Sequence, residues 1–229
     1  NSLPGKILNA LADEITEAGK ATNSAVIILQ SAGNKAFCAG ASFDELLQIE
    51  DEKTGLEFFS GFAKVINAMR VCPKFIIARI QGKCVGGGVG LAASADYAIA
   101  LNTSDVKLSE LAVGIGPFVV GPAVERKIGL SAFSALAIDA TNWRTAQWAY
   151  EKGLFAEIHD TIEKVDEAVL KIAKTLSASN PQAMEDLKKV SWEGTENWDK
   201  LLPERAAISG RLILSDFSRK SIEKFKSKK

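Results

Sequence analysis

The sequence predicts an α/β fold: parallel strands joined by crossover helices, then a helical C-terminal region. Three observations carry this reading. Residues 25–29 (AVIIL) and 75–80 (FIIARI) are short, continuous apolar runs, the pattern of strands covered on both faces. Between them lies an amphipathic helical stretch, and strand, helix, strand in one sheet implies a right-handed crossover. Beyond residue 119 the spacing of apolar residues is helical almost throughout.

In chain order, Ile7, Leu8, Leu11, Ile15 and Ala18 recur at helical spacing. They predict a first helix over residues 3–19, with Ser2 as its cap and Pro4 in its first turn. The run at 25–29 ends in the turn cluster Ser31-Ala32-Gly33-Asn34 and reads as a strand buried on both faces. Leu56, Phe59, Phe62, Val65, Ile66 and Met69 predict a helix over 54–71, broken by Pro73 before the strand at 75–80. After the glycine-rich stretch 82–90 come a short helix to Ala95, a strand at 97–101 and a short strand at 106–108. Residues 154–159 form the one late strand, and Pro181 and Pro203 open new helices. This divides the chain into an α/β core, residues 1–160, and a helical region, residues 161–229. Asn1 stands in place of a starting methionine and a helix follows at once, so a further N-terminal piece is expected.

Whole-chain properties narrow the function classes. With 229 residues and 47% hydrophobic content there is enough material for a sizeable core. Lys plus Arg and Asp plus Glu both total 28, so no excess charge points to nucleic acid or an anionic membrane as partner. Cys38, Cys72 and Cys84 lack the paired spacing of a zinc site and the single His159 cannot complete one, which predicts free thiols in a reducing compartment and no metal. No apolar run is long enough to span a membrane and no leader is evident, so a soluble, cytoplasmic protein is expected. The basic tail 220–229 reads as a solvated helix end or a binding segment.

The stretch Gly82-Lys83-Cys84-Val85-Gly86-Gly87-Gly88-Val89-Gly90 joins a strand to a helix. Glycines there let a ligand reach backbone N–H groups at the positive end of the helix. No Lys-Ser or Lys-Thr pair closes it, which excludes a Walker-type phosphate loop. Gly88-x-Gly90-x-x-Ala93 matches the bare dinucleotide fingerprint, but two strands precede it and no acidic residue ends a long following strand. A nicotinamide dehydrogenase rests on that match alone. A tight turn whose glycines serve only packing is the plain structural reading.

A second loop, Phe37-Cys38-Ala39-Gly40-Ala41-Ser42-Phe43, also follows a strand and precedes a short helix over 43–49. Two such loops can each direct an N–H at one ligand oxygen, the geometry of an oxyanion hole. At this point the chain resembles the crotonase (enoyl-CoA hydratase/isomerase) family. Phe37-Cys38-Ala39-Gly40-Ala41 is similar to that family's F-C-A-G-A-D segment, and Gln81-Gly82-x-x-x-Gly86-Gly87-Gly88 to its N-G-x-x-x-G-G-G segment. The likeness continues through 95–100, Ser109-Glu110-Leu111-x-x-Gly114-Ile115 and 215–225.

The resemblance implies a crotonase-like ββα-repeat core with a helical C-terminal trimerisation region. It also implies an acyl-CoA thioester as substrate, with coenzyme A as part of the substrate and no other cofactor or metal. By the same match the oxyanion amides fall on Ala41 and Gly87, and Glu110 is the acid/base residue. Ala39, Gly40, Ala41, Phe43, Gly86, Gly87 and Phe118 surround the thioester, and coenzyme A passes over residues 39–41. Relatives assemble as homotrimers or pairs of trimers. An isolated glutamate at a strand end would read as a solvated carboxylate; the motif favours catalysis for Glu110. Family hydratases carry a second glutamate where this chain has Gly90. Three chemistries stay open: hydration by Glu110 alone, double-bond isomerisation by Glu110 alone, or substitution by another side chain. A non-catalytic acyl-CoA-binding homologue is the rival. Residues 86–91 with Ser109-Glu110 resemble bacterial hydratases for branched, methylglutaconyl-type thioesters, which also carry glycine here. Phe118 and Val119 stand where many relatives have a glycine-rich turn; they either narrow the acyl pocket or form its core.

Overall fold

The structure, a computed structural model, describes residues 1–227; the last two residues of the basic tail lie outside the described residues. In chain order the elements are α1 (Gly5–Lys20), β1 (Ile27–Gln30), α2 (Phe43–Leu46), α3 (Glu52–Val71), β2 (Ile76–Ile80), β3 (Cys84–Val85) and α4 (Gly87–Ser94). They continue with β4 (Tyr97–Leu101), β5 (Val106–Lys107), a 3₁₀ turn (Leu111–Val113), α5 (Gly121–Ile138), α6 (Ala146–Glu151) and β6 (Glu157–His159). Four helices close the chain: α7 (Ile162–Ser177), α8 (Pro181–Ser191), α9 (Trp198–Leu212) and α10 (Asp216–Lys226).

One parallel sheet has the order β1-β2-β4-β6, and β3 and β5 form a second, parallel pair. The α/β expectation therefore holds, with α3 and α4 as crossover helices. Helix α7 packs across β2, β4 and β6, α9 lies along α3, and α1 covers α3 from another side. The approach of α9 to α3 is close enough that a methyl group on Gly55 would lie 2.7 Å from the Gly210 Cα.

Strand β2 is buried at every position but Arg79, whose guanidinium instead holds Asp166 of α7 in two hydrogen bonds of 2.6 and 3.1 Å. β1 differs from expectation. It is an edge strand that alternates half-buried and exposed residues, with Ile28 39% exposed, so the run at 25–29 is not covered on both faces. Ser2 does not cap α1: the helix starts at Gly5 with Pro4 as its extended N-cap and no side-chain cap. Proline's fixed φ supplies the entry there. The late strand shortens to β6 because Leu154 and Phe155 turn fully into the core. Pro181 does open α8, with the Asn180 side chain accepting from two backbone amides. Pro203 does not open a helix; it lies inside α9. Packing of α9 against α3 outweighs the one hydrogen bond that proline removes.

A buried ion pair ties the helical region to the sheet. Asp96, at the turn between α4 and β4, accepts from Ile76 N (2.7 Å), Lys188 Nζ (2.7 Å) and Trp192 Nε1 (3.2 Å). Lys188, 2% exposed, also donates to Lys74 O at 2.8 Å. Removing one partner of such a pair strands the other charge away from water. Lys188→Ala should therefore lower unfolding free energy by about 3–5 kcal/mol in urea titration. Asp51→Ala, which removes the exposed capping box of α3, should cost less than this. Equal losses would mean that Asp96 does not depend on Lys188.

Candidate functional site

Two loops are zipped together beneath one cleft. The backbones at Cys38 and Cys84, both free thiols, pair as a parallel β-bridge: Val85 N donates to Cys38 O at 2.9 Å and Cys38 N to Lys83 O at 3.4 Å. On the other side, Leu3 N donates to Gly40 O and Ser42 N to Leu3 O, bracketing Ala41. Because its two neighbours use that side, the Ala41 N–H faces the opposite one, toward the cleft that Ala41 lines. Gly87 is the first residue of α4, so its N–H is among those a helix leaves without an internal acceptor. A methyl group on Gly40 would lie 3.5 Å from Gly87 N, which measures how near the two loops come.

The glycine triplet serves three separate contacts. Gly86 has φ +53°, a left-handed value that side chains disfavour, and a methyl there would lie 3.0 Å from Glu110 Oε1. A methyl on Gly87 would lie 2.1 Å from Phe62 Cε1, and one on Gly88 2.5 Å from Cys38 O. Gly88 and Gly90 thus face protein atoms inside the buried helix α4, which removes the basis for a dinucleotide fingerprint at 88–93.

Glu110 is held by its backbone, whose carbonyl accepts from Val113 N (3.1 Å) and Ile115 N (3.0 Å) at the start of the 3₁₀ turn. Its Oε2 is shut off from solvent and has no hydrogen-bond partner. It is therefore not the solvated carboxylate of the plain reading. Burial pushes its carboxyl from the usual 4.5 up to about 7, opposed only in part by its own backbone N–H. Cys38 is a different case: burial pushes this thiol up to about 11, so it offers no thiolate near neutral pH. Among the described residues, no three His, Cys, Asp or Glu side chains gather to hold a metal, and no helix is long and apolar enough to cross a membrane.

The cleft encloses about 540 Å³ of space, counting its open mouth. Every site residue expected from the sequence lines it: Ala39, Gly40, Ala41, Phe43, Gly86, Gly87, Glu110 and Phe118. Sequence reasoning missed Phe59 and Phe62 from α3, Ser209 from α9, and above all Val120. A methyl group on Gly90 would lie 2.5 Å from Val120 Cγ1, so Val120 fills the space that a side chain at 90 would need. Lys226 was missed too. It stands beside Ala39 and Ala41 in an adjoining cleft, paired with Asp44 at 2.5 Å.

Apolar walls, two outward backbone amides and one unpartnered carboxyl define an enzyme site that can hold an oxyanion and move a proton beside it. The family model described as enoyl-CoA hydratase/isomerase matches residues 1–229, and the chain belongs to that family, the crotonases, which act on acyl-CoA thioesters. It is similar to YngF of Bacillus subtilis, named as an enoyl-CoA hydratase/isomerase: 31% identical over 201 residues, covering 86% of this chain and 75% of the relative. A second relative, from Mycobacterium tuberculosis, is named (7aS)-7a-methyl-1,5-dioxo-2,3,5,6,7,7a-hexahydro-1H-indene-carboxyl-CoA hydrolase; it is 25% identical over 194 residues, 82% of this chain and 74% of that one. The crystal structure of enoyl-CoA hydratase from Bacillus halodurans shares the fold, with a TM-score of 0.89 at 23% identity over 97% of this chain and 90% of that one.

The raised carboxyl links Glu110 to stability. From pH 4.5 upward the unfolded chain releases this proton while the folded protein keeps it until about 7. The contribution of the group is thus full below 4.5 and is lost as pH rises through 7. In urea titrations, the stability of the protein relative to Glu110→Gln should decline across that window. A pH-independent difference would mean the carboxyl is solvated.

Proposed function

We propose that the protein hydrates an enoyl-CoA, with the thioester oxygen on the Ala41 and Gly87 amides and Glu110 as the acid/base. The unpartnered, enclosed Glu110 Oε2 beside Gly86 carries this reading. Near neutral pH a carboxyl of this kind is present in both protonation states, as a group that takes and returns a proton needs. Glu110 takes a proton from water as the water oxygen bonds to the β-carbon. The electron pair of the double bond moves to the thioester oxygen, where the two amides stabilise the enolate. Collapse of the enolate then takes the proton from Glu110 at the α-carbon. Water is consumed, and no metal or redox group enters; coenzyme A arrives with the substrate. For the acyl group we favour a branched, methylglutaconyl-type one, on the likeness of residues 86–91.

Val120 in the space over Gly90 supports a second reading, double-bond isomerisation, because one carboxyl suffices to carry a proton between the α- and γ-carbons in an apolar cleft. The path of coenzyme A over residues 39–41 would pass Lys226, a cation suited to phosphate. We further propose homotrimers or pairs of trimers, acting in cytoplasmic fatty acid metabolism. Exposed Leu130 and Ile138 on α5 and Leu187 and Val190 on α8 support covered outer faces.

Loss of the conjugated thioester absorbance tests the proposal. Glu110→Gln should slow turnover by roughly 10²- to 10⁴-fold while acyl-CoA binding persists. Equal rates in both proteins on straight, branched and isomerisable substrates would end it. Tight binding without turnover would instead identify a non-catalytic homologue.

A further inference from the structure

Phe118 belongs to two clefts. Beside the one described above lies a second, of about 610 Å³ counting its open mouth, lined also by Gly121, Pro122, Glu125, Phe133, Ala137 and Arg205. Pro117 and Phe118 are the residues the two clefts share. The Phe118 ring is folded back on the chain: a methyl group on Gly116 would lie 2.6 Å from its Cε2 and Cζ. Gly116 lines the first cleft and not the second, so the ring stands at the boundary between them. Across the second cleft another ring, Phe133, faces the backbone, 3.0 Å from where a methyl on Gly121 would be.

We propose that Phe118 is the partition that limits the length of the acyl group, and so makes short acyl thioesters the substrate class. This rests on the acyl-CoA reading above. An acyl tail entering past the two amides meets Phe43, Phe59, Phe62 and Val113, and ends at the Phe118 ring. Methylenes beyond that point find no apolar cover while the ring is in place. Without it they enter a second space in which Pro122, Phe133 and Ala137 offer apolar cover beside the charged Glu125 and Arg205. Each methylene that gains cover should then tighten binding by up to roughly fourfold.

The test is the dissociation constant for saturated straight-chain acyl-CoA thioesters from butanoyl to hexadecanoyl. In the wild type the gain per methylene should stop at a short chain. Phe118→Ala should carry the gain several methylenes further, and Phe118→Leu, which keeps apolar bulk at the site, should stop between the two. Ala137→Phe in the Phe118→Ala background refills the second cleft and should restore the early stop. The same stopping length in wild type and both Phe118 variants would overturn the partition while leaving the acyl-CoA reading intact. A wild type whose affinity keeps rising to hexadecanoyl would do the same. Failure of every protein to bind any thioester would sink the proposed function, and this inference with it.

Discussion

Contact between the backbone at residues 38–41 and the backbone at 84–88 sets the scale of the whole site. The hydrogen bond from Val85 N to Cys38 O fixes the spacing of the two loops, and Gly88 permits it because any side chain there would meet Cys38 O. From that spacing the rest follows. Ala41 and Gly87 present amides on one side, and Phe62 reaches the floor of the cleft through the gap left at Gly87. Gly86 turns the chain so that Glu110 can lie against it. Amides held this way need no reorganisation when charge develops beside them, which is the condition for strong electrostatic stabilisation.

The same packing decides how Glu110 behaves. The cleft around it is mostly glycine backbone and apolar side chains, with Ser109 and Ser209 as its other polar groups, so burial dominates and pushes the carboxyl up to about 7. A second carboxylate nearby would change this balance by adding a like charge. Gly90 and Val120 keep that charge out, since the volume is filled by a valine side chain that is itself 4% exposed. Glu110 is then the one carboxyl among the described residues that line the cleft. Burial in this wall, with Oε2 unpartnered, is what pushes the Glu110 carboxyl up to about 7.

The features legible in the sequence were those in which residue type is forced by backbone geometry. The glycine run and the small residues at 39–41 announce close approach wherever they sit, and the parallel sheet followed from apolar runs separated by a crossover. What stayed hidden depends on what packs opposite. AVIIL reads the same in a central or an edge strand, so the exposure of Ile28 could not be seen. Pro203 looked like a helix start because local rules place it there, yet contact of α9 with α3 carries the helix through it. Val120 directly follows Phe118 and Val119, the pair the family resemblance singled out, but its pairing with Gly90 exists only in three dimensions. Lys226 lies far along the chain from the loop it approaches.

The attachments of the last helix complete the physical account. Helix α10 rests on the 3₁₀ turn below Glu110, where a methyl on Gly114 would lie 2.4 Å from Ser218 Oγ. It reaches the first loop through Phe225 set edge-on to Phe43 and through the Lys226–Asp44 pair. These last two contacts are largely exposed, and an exposed ion pair contributes about 1 kcal/mol or less. The two loops that carry Ala41 and Gly87, in contrast, are joined by backbone hydrogen bonds among buried residues such as Cys38 and Cys84. Local opening takes the route of least cost, so the wall beside Phe43 yields before the amides do. The wall beside Phe43 and the paired backbone of the two loops therefore reside in different parts of the chain, and opening of the first need not disturb the second.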